Sequence, residues 1–183
     1  SLIERGGHAV VAEFGAGSLG SGDPAQAADF DRAKHDRHVH GDRDDSQAYQ
    51  ARVVETVATA LRRAGVGGIL YSLRDTDSAG MGVYGVDGTA KAARATLERD
   101  FAPVQAFLAD PAASESAVVV VNDLPQELSA TLSWEAGERT GEEEFTISPN
   151  SQWETDPISV DADQIRLTVS VGSETIENVY DRS

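Results

Sequence analysis

Ala9-Val10-Val11-Ala12-Glu13-Phe14 is a short, mostly apolar run that ends in a carboxylate and an aromatic ring. Apolar residues at successive positions suit a strand buried on both faces of a parallel sheet. Residues 15–45, rich in Gly, Asp and His, follow it. At about 30 residues this stretch is far longer than a routine connection, which points to a functional loop. Ser46 then caps a helix over residues 46–64, in which Tyr49, Val53, Val57, Leu61 and Ala64 recur at helical spacing and Gly65 ends the pattern. Residues 66–73 (VGGILYSL) read as a second buried strand, 74–88 as a second Gly-rich polar loop, and 90–108 as a last helix in which Pro103 must make a kink or start a fresh turn. Strand, loop and helix, twice over, is βα repetition. It predicts that 9–14 and 66–73 are adjacent parallel strands with the 46–64 helix packed across them and long loops at their C-terminal ends.

The pattern changes near residues 109–116 (ADPAASES), a small-residue stretch with the look of a linker. Residues 1–110 carry 16 acids and 12 bases, net −4, whereas 111–183 carry 15 acids and 3 bases, net −12. Beyond the linker, Leu128, Ala130, Leu132 and Trp134 alternate with Ser129, Thr131 and Ser133, the period of a half-buried strand. Residues 117–121, 144–147, 157–160, 164–171 and 175–180 add further short strands, several separated by turn residues such as Gly172-Ser173. About six or seven strands in so short a segment point to a small immunoglobulin-like β-sandwich. The expected class is therefore α/β plus all-β, with an α/β domain over 1–110 and an all-β domain over 111–183.

Hydrophobic residues are 40% and charged residues 25%, so the chain is globular material rather than a disordered tail. Its net charge of −16 repels phosphate backbones and anionic lipid, which argues against nucleic acid and membrane partners. Of its 15 basic residues only Lys34 and Lys91 are lysine, and Ala, Gly, Val and Thr replace larger apolar residues. Such a surface is expected of a protein adapted to high salt, where a Debye length of about 3 Å relieves self-repulsion. With no cysteine, disulfides, thiolate metal sites and cysteine nucleophiles are excluded, and the compartment stays open.

Glu13 is the sharpest chemical feature. A carboxylate at the C-terminal end of a parallel strand stands where barrel active sites stand. A solvated strand terminus or an ion-pair partner gives the same sequence pattern. His35, His38 and His40, with Asp31, Asp36 and Asp42 alongside, could supply metal ligands, but H-x-x-H-x-H in an acidic loop matches no fixed ligand spacing. We read it as a solvated loop or a substrate rim, and expect no metal and no cofactor. Trp134 lies on the apolar parity of its strand and belongs to a core; Trp153 sits in a polar turn region.

Gly7-His8-Ala9-Val10-Val11-Ala12-Glu13-Phe14-Gly15-Ala16 resembles the strand-7 nucleophile motif of glycoside hydrolase family 2 and its clan-A relatives, where a strand ends in Glu, an aromatic residue and Gly. Three further segments are similar to that family, in its order. Asp45-Ser46-Gln47-Ala48-Tyr49-Gln50 resembles the helix-7 opening. Gly67-Gly68-Ile69-Leu70-Tyr71-Ser72-Leu73-Arg74-Asp75 resembles the strand-8 segment, and 82–91 the approach to helix 8. The likeness covers about residues 6–108, and segment 120–132 is weakly similar to the sandwich domains that follow such barrels.

The resemblance implies that residues 1–110 are the last two β/α units of a TIM barrel, strands 7 and 8 with their helices. It also implies that the activity is retaining β-glycoside hydrolysis with Glu13 as nucleophile. Tyr71 falls where the family places a Trp as a sugar platform, and Asp75 matches a loop acid, so both are candidate substrate-binding residues; each could equally be packed at a strand end. The family carries its acid/base on strand 4, which this chain lacks. The chain is thus expected to be a C-terminal fragment or one part of a longer protein, inactive alone, with a β-glycoside and the rest of the barrel as partners. The other reading is a non-catalytic carbohydrate-binding or structural module.

Overall fold

A computed structural model of the chain describes residues 9–20, 35–38 and 42–181. The chain divides into two compact units, Ser1–Asp100 and Phe101–Ser183.

In the first unit, strand β1 (Val10–Phe14) runs parallel to β3 (Gly67–Leu70), with Val10 opposite Gly67, Val11 opposite Gly68 and Phe14 opposite Leu70. Helix α1 (Arg43–Arg63) connects them, so the expected βαβ unit is present. The helix is capped by Asp42, not Ser46. The Asp42 carboxylate accepts from the amides of Asp44 (2.9 Å) and Asp45 (3.3 Å), placing Ser46 one turn inside. Asp44 and Asp45 in the first turn and Arg62 and Arg63 in the last both complement the helix dipole. At the C-terminus Gly65 adopts φ +63°, its N–H reaches the Arg62 carbonyl (3.0 Å) and the Val66 N–H reaches Leu61 (2.9 Å), a Schellman stop.

One face of the β1–β3 pair is covered. Phe14, Val54, Ala58, Val83 and Ala93 are buried together, with Val11, Leu61 and Leu70 packed against them. The other face is open: Val10, Ile69, Tyr71 and Leu73 are 63%, 57%, 52% and 71% exposed. The second strand pair, β2 (Ser18–Leu19) with β4 (Ala79–Gly80), is antiparallel and joins the loops that follow β1 and β3.

The expected helix over 90–108 is two elements. Helix α2 (Ala92–Asp100) stops before Pro103, and β5 (Val104–Leu108) is a strand with all five residues buried. Proline cannot donate the helical hydrogen bond, and VQAFL is apolar on both parities. This strand pairs antiparallel with β7 (Val118–Asn122), so the division between the units falls after Asp100 rather than within 109–116.

The second unit is all β. One sheet has the order β10-β7-β5 and the other β13-β12-β8-β9; a short pair, β11-β6, completes it. Here β6 is Glu115–Ser116, β8 Leu128–Ala136, β9 Arg139–Ile147, β10 Ser151–Glu154, β11 Ile158–Ser159, β12 Gln164–Val171 and β13 Glu174–Asp181. The inward parity of β8 (Leu128, Ala130, Leu132) and of β12 (Ile165, Leu167, Val169) meets Ala106, Leu108, Val118 and Val120 in one apolar core. Asn178 on β13 donates to the Ala106 carbonyl (3.1 Å) and so ties the two sheets.

Candidate active site

The C-terminal ends of β1 and β3 bring Glu13 and Tyr71 to neighbouring strands. The Tyr71 N–H donates to the Phe14 carbonyl (2.8 Å), the last rung of the parallel pair. Simple alternation would put Glu13 beside Val11 on the helix-covered face. The register slips between Val11 and Phe14, however, so two residues of β1 intervene where β3 has one. Phe14 returns to the covered face, and Ala12 and Glu13 are both exposed. A bulge of this kind re-aims a side chain at a strand end. Gly15 makes the next step possible. Its φ is +153°, and a Cβ there would fall on the Tyr71 carbonyl oxygen, so only glycine fits. Tyr71 lies on the open face, and its bond to Ser72 is cis.

Beneath these strand ends the two loops are locked by buried polar groups. Gln50, with no exposed surface, accepts from the Ser18 hydroxyl (2.8 Å) and donates to the carbonyls of Ala16 (2.8 Å) and Gly82 (3.0 Å). Lys91 contacts the carbonyls of Ser18 (3.4 Å) and Gly80 (3.3 Å) and forms an ion pair with Asp75. The other Asp75 oxygen accepts from the Gly82 N–H (2.7 Å). Burial pulls the Lys91 pKa down, and the hydrogen bond and charge of Asp75 oppose that shift.

Asp75 is therefore not presented as the substrate-binding loop acid that the resemblance implied. Its side chain has no exposed surface and both oxygens are committed within the loop. Glycines at 20, 80 and 82 crowd it, because any side chain there would meet the carboxylate. In the histidine loop His35 departs from the solvated rim expected of it, whereas Asp36, Arg37 and His38 are exposed. His35 is buried, its Nε2 2.7 Å from the Ser46 hydroxyl and its Nδ1 3.1 Å from Asp36. His38 stacks on Tyr49 with ring centroids 5.5 Å apart. His40 and Asp31 lie outside the described residues. Among the described residues no group of three or more His, Cys, Asp or Glu is placed to hold a metal ion. In the second unit Trp153 stacks on Phe145 at 4.1 Å and Trp134 lies over Gly141; both tryptophans pack on the sandwich core.

Gln50, Ser18 and Lys91 were not singled out by the sequence reading. Ser46 and Gln50 share the i, i+4 spacing of Val54 and Ala58, but their burial follows from the loops that fold onto them and left no signal in the sequence.

No family model matches the sequence, and no curated protein matches it. Solved structures do. The β-D-mannosidase from Dictyoglomus thermophilum superposes on 94% of this chain with a TM-score of 0.71 at 14% identity. The exo-chitosanase of Amycolatopsis orientalis superposes on 75% with a TM-score of 0.62 at 14% identity, and its complex with PNP-β-D-glucosamine on 76% with 0.60. The likeness is one of fold. The chain spans 27% of the mannosidase and 19% of the exo-chitosanase.

Proposed function

We propose that this chain is the C-terminal part of a retaining β-glycosidase. In this reading the first unit supplies the last two β/α units of a catalytic (β/α)8 barrel, and the second is an immunoglobulin-like accessory sandwich. The observation that carries the proposal is an exposed carboxylate, Glu13, at the C-terminal end of a parallel strand beside Tyr71. The fold likeness to a mannosidase and an exo-chitosanase supports it.

The chemistry follows from two carboxyl groups about 5–5.5 Å apart. An oxygen of ionised Glu13 attacks the anomeric carbon as the bond to the leaving oxygen breaks. The second carboxyl group, contributed by another part of the barrel, protonates that oxygen. The resulting glycosyl ester on Glu13 is then hydrolysed. The same second group takes a proton from water, the water oxygen bonds to the anomeric carbon, and Glu13 leaves as carboxylate with net retention. Tyr71 offers a ring face on which the sugar stacks. Asp75 serves by shaping the loop. The remaining barrel strands cover Val10, Ile69 and Leu73 and supply the second carboxyl group, without which the chain alone is inactive.

The test uses the polypeptide that carries this chain together with the rest of the barrel, a panel of 4-nitrophenyl β-glycosides, and buffers from dilute to molar KCl. Proton NMR of the first-formed sugar should show the β-anomer. Release of the α-anomer would rule out the retaining mechanism. Absence of hydrolysis at every salt concentration would favour the non-catalytic carbohydrate-binding or structural module. Activity that rises toward molar salt is expected from the −16 charge.

A further inference from the structure

We propose that Gln50 is a positioning residue that fixes the backbone from which Glu13 projects; this rests on the glycosidase reading of Glu13. The buried contacts around Gln50 close into a ring. Gln50 Oε1 accepts from Ser18 Oγ, and the Ser18 carbonyl meets Lys91 Nζ. Lys91 pairs with Asp75, whose Oδ1 accepts from the Gly82 N–H. The Gly82 carbonyl accepts from Gln50 Nε2. Residues 16–18 after β1 and 75–82 after β3 are thereby held together against α1.

Glu13 itself lies outside the ring, exposed on a strand end that has lost its regular register. Two hydrogen bonds bracket the segment just after it. Phe14 O accepts from Tyr71 N (2.8 Å), and Ala16 O accepts from Gln50 Nε2 (2.8 Å). Between them sits Gly15, the residue with the fewest intrinsic backbone restraints. Without the Gln50 bond, Ala16 loses its tie to α1 and the backbone on the loop side of Gly15 is held less firmly, which loosens the aim of the carboxylate. Misplacing a reacting group by about 1 Å costs on the order of a hundredfold in rate.

The position itself argues for this role. Gln50 lies in the third turn of α1, between Ser46 and Val54 in the buried stripe. An apolar side chain there would avoid the cost of burying an amide, which only a full set of partners offsets. Gln50 has that set, and every partner lies in the two loops.

The experiment measures kcat and KM of the intact enzyme on a 4-nitrophenyl β-glycoside for wild type, Glu13→Gln, Gln50→Met and Val54→Ala. Gln50→Met keeps the length and removes the bonds. Val54→Ala thins the apolar packing of the same helix face one turn on, against Phe14 and Val83, and removes no hydrogen bond to the loops. Gln50→Met should lower kcat by about thirtyfold or more with KM within about threefold, the pattern of a group acting only in the transition state. Val54→Ala should keep kcat within about threefold below its unfolding temperature. Equal losses in the two variants, or an unchanged kcat in Gln50→Met, would overturn the proposal. Should Gln50→Met fail to fold, Ser18→Ala removes one ring bond and should still lower kcat by about fivefold; an unchanged rate overturns it. A wild type inert on every glycoside, with Glu13→Gln equally silent, sinks the glycosidase reading and this proposal with it. An active wild type, a dead Glu13→Gln and a fully active Gln50→Met sink only the role of Gln50.

Discussion

Replacing Lys91 with Met should be among the most damaging single changes in the first unit. The Asp75 side chain has no exposed surface and that of Lys91 only 2%. A Cβ at Gly80 or Gly82 would stand 2.7 Å from Asp75 Oδ1, and one at Gly20 3.1 Å from Oδ2, so the carboxylate is packed too closely for water to replace the ammonium. Lys91→Met leaves that charge with the Gly82 N–H at its other oxygen. Breaking one side of a buried pair costs about 3–5 kcal/mol. A further 1–3 kcal/mol, for the backbone acceptors at Ser18 and Gly80 left without a donor, is partly regained as the loop relaxes. Against a typical domain stability of about 5–15 kcal/mol, this is a large share of what holds the unit folded. Adding Asp75→Asn should recover a large share, because the uncompensated charge goes. Urea unfolding at pH 7 separates the units: both helices described lie in the first, and both tryptophans, Trp134 and Trp153, lie in the second. The helical circular dichroism should shift while tryptophan fluorescence stays put. A loss under about 1 kcal/mol in Lys91→Met would mean that the carboxylate is hydrated and that the ring does not hold the loops.

Three further outcomes are expected. Burial raises the pKa of Asp100 against the opposing effects of Arg99 and Arg62, and burial likewise raises Glu55. A carboxyl raised above its unfolded value binds its proton more tightly when folded, so the stability linked to Asp100 is lost as pH rises from the ordinary value of 3.8 through the folded value; the urea midpoint difference between Asp100→Asn and wild type should grow in favour of the variant from pH 4 to 7, and a flat difference would contradict this. Gly15→Ala should cost at least about 2 kcal/mol, since φ +153° and the Tyr71 carbonyl both oppose a side chain; thermal unfolding within 0.5 kcal/mol of wild type, about the spread of neutral surface changes, would refute the close approach. Leu132→Ala, at a fully buried site in the sandwich, should cost about 2–5 kcal/mol and move the tryptophan transition alone.

The βαβ order was legible because its signals are local: an apolar run, a helix with a glycine stop, and a second apolar run. The alternation of 128–134 was legible for the same reason. What escaped was set by tertiary partners. The apolar stripe Tyr49, Val53, Val57, Leu61 suggested the buried face of α1, yet the fully buried stripe is Ser46, Gln50, Val54, Ala58. Its polar members are buried because two distant loops fold onto them, which no helical periodicity reveals. Val104–Leu108 fits a helix or a strand by its apolar pattern alone, and its pairing with Val118–Asn122 decided for the strand. Asp75 and His35 read as surface residues by type, and each is buried because a specific partner, Lys91 or Ser46, satisfies it. The exposure of Glu13 depends on a one-residue register slip that only the pairing with β3 discloses.

The central claim is that Glu13 forms a covalent glycosyl ester, and trapping that ester tests it most directly. A 2-deoxy-2-fluoro β-glycosyl fluoride or dinitrophenyl glycoside slows hydrolysis of the intermediate more than its formation, so a retaining enzyme accumulates it. The intact enzyme should lose activity in step with labelling of one residue. Peptide mapping by mass spectrometry should place the sugar on the peptide containing Ala9-Val10-Val11-Ala12-Glu13-Phe14, with fragmentation assigning it to Glu13. Glu13→Gln should take no label and lose activity by many-thousandfold. A label on any other carboxylate, or a Glu13→Gln enzyme within about tenfold of wild type, a difference of roughly 1.4 kcal/mol, would contradict the account and leave Glu13 a structural residue at a strand end.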